Sequence, residues 1–165
     1  IIANKLVGMD ALNIQSIDAE DAINLISSNS LIKYLSVTNA KSDAIDADFS
    51  QLVFEKLHVT NAGNDCLDVS SGFYRFKEAQ LAYCGDKGVS AGEGAKVQIS
   101  SVILNEALFG IVSKDSAEIE VNAAAITRTK ICLSAYRKKQ EYGGFDSGIF
   151  VTRISPMFLY PNFAE

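Results

Sequence analysis

Apolar residues recur at a fixed interval through most of the chain. Ile23, Ile45, Leu67, Val89, Ile111 and Leu133 stand 22 residues apart without a break. The segments NAKSDAIDADFS, NAGNDCLDVSSG, YCGDKGVSAGEG and EALFGIVSKDS read as successive copies of one unit. Self-similarity at this period marks a solenoid in which each repeat is one turn. Within a repeat the period is two. Ile45, Ala47 and Phe49 alternate with Asp46 and Asp48, and Leu67 and Val69 with Asp68 and Ser70. Alternation over so short a run predicts strands, since a helix needs a period of 3.6.

Two further strand columns are expected in each repeat. One holds Leu35/Val37, Leu57/Val59, Ala79/Leu81, Ser101/Ile103 and Ala123/Ala125. The other holds Leu52/Phe54, Tyr74/Phe76, Val97/Ile99 and Ile119/Val121, and slips by one residue between its second and third pairs, so a turn there absorbs a residue. Three short strands per 22 residues predict an all-β, single-stranded parallel β-helix, right-handed by the general rule for parallel crossovers. The leucine-rich repeat pattern L-x-x-L-x-L-x-x-N is absent. Asn39, Asn61 and Asn105 fall in one column, interrupted by Tyr83 and continued by Thr127, and predict an amide ladder along the axis. Residues 1–30 are less regular and are read as the first turns. Gly143 and Gly144 end the pattern, which divides the chain into a β-helix domain at 1–142 and a tail at 143–165. The tail carries both prolines and the aromatics Phe145, Phe150, Phe158, Tyr160 and Phe163. It is expected to leave the coil, cover the bare last rung, or mediate a homo-oligomer.

Composition narrows the options. Nearly half of the 165 residues are apolar and there is no low-complexity tract, which excludes a disordered chain. A net charge of −5 argues against general nucleic-acid binding. No apolar run is long enough to span a membrane as a helix. Of the three cysteines, Cys66 and Cys132 share a column three rungs apart, roughly 14 Å at about 4.8 Å per rung, and Cys84 lies in another column. Free, buried thiols are therefore expected.

Candidate chemistry lies on the outer face of the first strand column. His58, the only histidine, alternates with Leu57 and Val59 and points outward on another face, so a Ser-His-Asp triad and a histidine-based zinc site are excluded. Repeat stacking sets Asp46 over Asp68 and Ser90, Asp48 over Ser70, Gly92, Lys114 and Tyr136, and Asp43 over Asp65 and Lys87. Carboxylates about 5 Å apart must share cations, accept hydrogen bonds or shift pKa. Such a row can take up calcium, hold sugar hydroxyls or perform acid–base work on a glycoside, or it simply keeps a sheet face soluble and its turns hydrogen-bonded. The candidate acid–base residues are Asp43, Asp65, Lys87 and Lys114. The candidate substrate-binding residues are Asp46, Asp48, Asp68, Ser90 and Tyr136. No metal-ligand motif is present.

Over about 75 residues these turns resemble the polygalacturonases, whose turns carry N-T-D-G, D-D-C, G-H-G and R-x-K. Ser42-Asp43-Ala44, Asn64-Asp65-Cys66, Asp86-Lys87-Gly88 and Val112-Ser113-Lys114 stand at those places. Asp43, Asp65, Cys66 and Lys114 match in kind. Asn64 replaces the family's general acid, Lys87 its His and Val112 its Arg. The repeats are also similar to β-helix domains of large bacterial secreted or surface proteins. The resemblance implies a polysaccharide partner and an extracellular or cell-surface setting. The departures imply binding without ordinary hydrolysis, since an amide gives no proton to a leaving oxygen and general acid catalysis is worth about 10²–10⁴-fold. A structural solenoid, a hydrolase, or a lyase using a neutral Lys87 or Lys114 as base are the alternatives.

Overall fold

The computed structural model describes residues 2–3, 10–142 and 147–153. Its strands are β1 (Ile2–Ala3), β2 (Leu12–Ile17), β3 (Asp21–Ile26), β4 (Asn29–Ala40), β5 (Asp43–Ala62), β6 (Leu67–Cys84), β7 (Lys87–Gly92), β8 (Lys96–Lys114), β9 (Glu118–Val121), β10 (Ala124–Tyr136) and β11 (Gly148–Val151). Every pairing is parallel. Long strands such as β5 bend at corners and contribute to three faces in turn. The chain is a parallel β-solenoid of about six turns, with no α-helix among the described residues. We name its faces by the sequence columns: the first sheet holds Ile45, the second Leu57 and the third Leu52.

Ile23 pairs with Ile45, Leu67 with Val89, Val89 with Ile111 and Ile111 with Leu133. The first five residues of this column are fully buried, and Leu133, on the last first-sheet rung described, packs against the core while partly exposed. The third column stacks as expected, with the Phe54 and Phe76 rings parallel at 5.0 Å.

The second column differs from expectation above the slip. Gly94, at φ +73°, takes up the extra residue, and the shift persists through the next face. Ala79 and Leu81 therefore pair with Val102 and Leu104, followed by Ala124 and Ile126, all buried, while Ile103 lies exposed on the outside. The turn before Phe109 is one residue shorter and restores the 22-residue register. The asparagine ladder is divided by the same shift. Asn61 Nδ2 donates to Asn39 Oδ1 at 2.8 Å, but Asn105 sits over Ala82 and accepts from Thr127 Oγ1 at 3.0 Å.

Corners bend through left-handed residues, a conformation that Asn tolerates better than most. Asn39, Asn61, Tyr83, Glu106 and Arg128 form one such column at φ +48° to +72°. At the other corner Ser28 N–H donates to Ser50 Oγ at 2.9 Å, and Ser50 Oγ donates to the Asp48 carbonyl at 2.7 Å. The next rung has Gly72, where a Cβ would stand 2.3 Å from the Ser50 carbonyl oxygen. The Tyr74 hydroxyl reaches into that space. It accepts from Ser50 N–H at 3.3 Å and lies 2.9 Å from the Ala47 and Ser70 carbonyls. A ring otherwise fully buried thereby satisfies backbone groups that burial would leave unpaired.

Cys66 and Cys84 form a disulfide, with Cα atoms 5.3 Å apart, so the expectation of three free thiols is wrong; only Cys132 is free. Cys66 belongs to the small inward residues that begin the first sheet, and Cys84 to those that end the second. The two columns face each other across one corner. From Cys84 to the position above Cys66, Gly88, is four residues, so the bridge closes at a separation of 22 − 4 = 18. Column arithmetic in multiples of 22 misses it.

The coil continues past the Gly143-Gly144 break. β11 pairs with β9 at an offset of 30, so the preceding loop holds eight more residues than a regular turn (30 − 22). Phe145, Phe158, Tyr160 and Phe163 lie outside the described residues.

Two outcomes are expected. Leu67→Ala should cost about 2–5 kcal/mol in urea unfolding, because a sealed solenoid core cannot collapse around the cavity. Thiol titration of the denatured, unreduced protein should find one reactive cysteine, rising to three on reduction.

Candidate functional site

The outer face of the first sheet is polar and half-buried over its early turns, and buried at Ser90, Val112 and Lys114. Three in-register columns build it: Asp21, Asp43, Asp65 and Lys87; Asn24, Asp46, Asp68, Ser90, Val112 and Ser134; and Ile26, Asp48, Ser70, Gly92, Lys114 and Tyr136. Parallel pairing forces equivalent residues of neighbouring coils to stack, so every repeated Asp meets another Asp about 4.8 Å away. Hydrogen bonds and lysines are distributed to offset that repulsion.

In the first column the acids serve the backbone. Asp43 Oδ1 accepts from the Asp65 N–H at 2.8 Å and from Asn64 Nδ2 at 2.7 Å. Asp65 Oδ1 accepts from the Lys87 N–H at 3.0 Å, and Lys87 Nζ stands 3.4 Å from it. Lys87 also hydrogen-bonds to Asp86. Burial pushes Asp65 up to about 6 against the pull of the Lys87 ammonium. Burial also raises Asp43, although the Asp65 N–H and Asn64 amide favour its charged form. For Lys87, burial opposes the charge, yet the bond to Asp86 and the charges of Asp65 and Asp86 outweigh it and hold the ammonium above its ordinary value. That direction is opposite to the one a neutral-amine base requires.

In the second column Asn24 Nδ2 donates to Asp21 Oδ2 and Asp46 Oδ2, both at 2.9 Å. Burial, followed by the charges of Asp48, Asp21, Asp68 and Asp43, raises Asp46 to about 7. Asp68 lies 3.7 Å from Lys114 Nζ, too long for a hydrogen bond, and its Oδ1 accepts none. Ser90, stacked on Asp68, is fully buried with an Oγ that makes no hydrogen bond. Asp48 is raised by burial and by Glu93. Tyr136, half exposed at the end of the third column, is raised by burial, and its hydroxyl lies within electrostatic reach of Lys87, Asp86 and Asp65.

All nine residues singled out in the sequence therefore share this face. Asp65 and Lys87 lie in the first column and Tyr136 at the far end of the third, while Lys114 Nζ reaches Asp68, beside Ser90, at the middle. Asp43, Asp46 and Asp48 extend the strip toward the early turns. Further participants lie outside the residues singled out in the sequence. Asn24 is found by extending the Asp46 column back by 22, and Asp86 adjoins Lys87. Glu93 and Lys139 bond across 46 residues, and Asp115 Oδ1 accepts from the Lys138 and Lys139 N–H groups at 2.6 Å. These contacts fold the segment after Tyr136 back along the edge of the strip, and no periodicity announces them. Among the described residues no three His, Cys, Asp or Glu side chains converge to hold a metal ion, and no helix is long and apolar enough to cross a membrane. His58 points outward on the second sheet, edge-on to Tyr34.

No protein-family model, curated protein or solved structure matches the chain.

The raised acids set a pH dependence. A carboxyl whose folded pKa exceeds its ordinary value of about 3.9 binds its proton more tightly in the folded state. The stability so contributed is full below about pH 4 and is lost as pH rises through the folded values of about 6 for Asp65 and about 7 for Asp46. The urea midpoint should therefore fall between pH 5 and pH 8, and Asp46→Asn should flatten the decline. A midpoint that climbs over this range would contradict the assignment.

Proposed function

We propose that the first sheet is a binding face for an uncharged polysaccharide, which it holds without cleaving. The observation that carries this reading is the half-buried group of Asp43, Asp46, Asp48 and Asp68 with the Asn24 amide on the early turns of that sheet. The rungs of Asn24, Asp46 and Asp68 offer acceptors at a regular spacing, and a chain of sugar hydroxyls supplies donors. Lys87 and Lys114 offset only part of the acidic charge of Asp21, Asp43, Asp46, Asp48, Asp65 and Asp68, so a polyuronate is repelled and a neutral glycan is preferred.

Absence of cleavage follows from how the acids are used. Asn64 occupies the place where the resemblance to polygalacturonases puts the general acid, and its amide donates to Asp43. Asp43 and Asp65 each commit an oxygen to the next rung's N–H. They stand on adjacent rungs, closer than the roughly 6.5–9.5 Å that an inverting pair needs to admit water. The Cys66–Cys84 bridge favours a setting outside the reducing cytoplasm, in keeping with a secreted or surface role.

A second reading, a structural spacer, is favoured by the backbone-capping work of Asp43 and Asp65. A screen of immobilised neutral and acidic glycans separates the two. Binding to neutral glycans is expected, weakened on the order of tenfold by Asp46→Asn with Asp68→Asn, with no new reducing ends and no unsaturated products. A blank screen favours the spacer. Turnover abolished by Asp43→Asn and Asp65→Asn would make the domain an enzyme.

A further inference from the structure

The third sheet carries a groove of its own, on a different face from the acidic strip. It has a volume of about 380 Å³ and is lined by Phe73, Lys96, Gln98, Glu118, Glu120 and Phe150 side chains over the Val97 and Ile119 backbone. Phe73, Lys96, Glu118 and Gly148 stack on successive rungs, as do Arg75, Gln98, Glu120 and Phe150. Phe150 is the most exposed large apolar residue described, at 65%. Its ring lies back over Gly148, 3.1 Å from where a Cβ would stand. A larger residue at 148 would displace the ring. An aromatic ring thus stands at each end of a floor three rungs long, about 14 Å.

The floor between the rings is polar but internally paired. Arg75 Nε and Nη2 donate to Gln98 Oε1 at 3.2 and 3.0 Å, and Gln98 Nε2 donates to Glu120 Oε2 at 3.3 Å. Lys96 Nζ faces Glu118 at 4.0 Å. The two cations Arg75 and Lys96 are balanced in number by the two anions Glu118 and Glu120, so the groove selects neither a polyanion nor a polycation. The exposed Phe150 ring and a half-buried Phe73 ring, with the Arg75 guanidinium 5.5 Å over it, around a charge-balanced, hydrogen-bonding floor match a ligand with apolar C–H faces and many hydroxyls. The volume lies in the lower range of small-ligand sites, about 300–1,000 Å³.

We propose that this groove is a second carbohydrate site, which holds a short segment of a neutral glycan along the axis with sugar faces against Phe73 and Phe150. The proposal rests on the carbohydrate reading above for the class of ligand, but on none of its residues.

The test is a titration of the isotope-labelled protein with neutral hexasaccharides of glucose, xylose and mannose, and with hexagalacturonate, followed by NMR. A neutral hexasaccharide should move the Phe73, Gln98 and Phe150 resonances. Phe150→Ala and Phe73→Ala, both at solvent-accessible rings, should each weaken that binding on the order of tenfold, and Asp46→Asn with Asp68→Asn should leave it unchanged. Gly148→Ala should weaken it as well. Movement confined to Asp46, Asp68 and Ser90 overturns the groove and keeps the first-sheet reading. Movement confined to Phe73, Gln98 and Phe150 keeps the groove and removes the first sheet from the reading. Preferential binding of hexagalacturonate at the groove, or no movement there with any sugar, overturns the proposal.

Discussion

Parallel pairing of each coil with the next governs this molecule. Once Ile45 lies over Ile23 and under Leu67, the hydrogen-bond ladder sets the neighbouring residues over their counterparts, 22 positions away through most of the coil. Three consequences follow at once. Inward residues form continuous apolar columns, outward residues form continuous chemical columns, and corners must repeat the same bend. The core is therefore a stack of identical layers. A defect in one layer must be accommodated locally, as at Gly94 and the shortened turn before Phe109, or it would throw every later strand to the wrong face.

Stacking like on like is favourable for Phe54 on Phe76 and unfavourable for Asp on Asp. The protein handles the latter by converting carboxylates into structural acceptors where the chain turns, and by inserting Asn24, Lys87 and Lys114 among them. The compensation is incomplete. Asp46 and Asp65 keep their protons to higher pH than ordinary carboxyls because they are partly buried among other acids. A face with unspent acceptors is one that can engage hydroxyls. The same backbone rule that makes the strip also weakens the case for catalysis, since it fixes Asp43 and Asp65 one rung apart and occupies both.

The two faces contrasted here differ in how their charge is arranged, not in their backbone. On the first sheet, acids repeat in the same column and accumulate. On the third, Lys96 stacks with Glu118, and Gln98 links Arg75 to Glu120, so opposite charges alternate along the axis and cancel. Phe73 and Phe150 lie on the outward parity of their strands; the Arg75 guanidinium stands over the Phe73 ring at 5.5 Å, and Phe150 stays 65% exposed.

The sequence by itself determined the solenoid, its 22-residue coil, the inward column from Ile23 to Leu133, the inward pairs of the third sheet and the shared face of Asp43, Asp46, Asp48, Asp65, Asp68, Lys87, Ser90, Lys114 and Tyr136. These are properties of alternation and period, and a parallel ladder converts both into position without further information. It also located the slip near residue 95 but not its extent. Whether an inserted residue is absorbed at one corner or carried through two faces depends on which turn can shorten. That choice moved Ile103 outward and separated Asn105 from Asn39 and Asn61. Only the tertiary structure decided the Cys66–Cys84 bridge, the return of Lys139 to Glu93, and the seating of Phe150 over Gly148. Each joins residues across a corner or through a loop, where distance is set by the path of the chain between rungs and leaves no trace in the repeat.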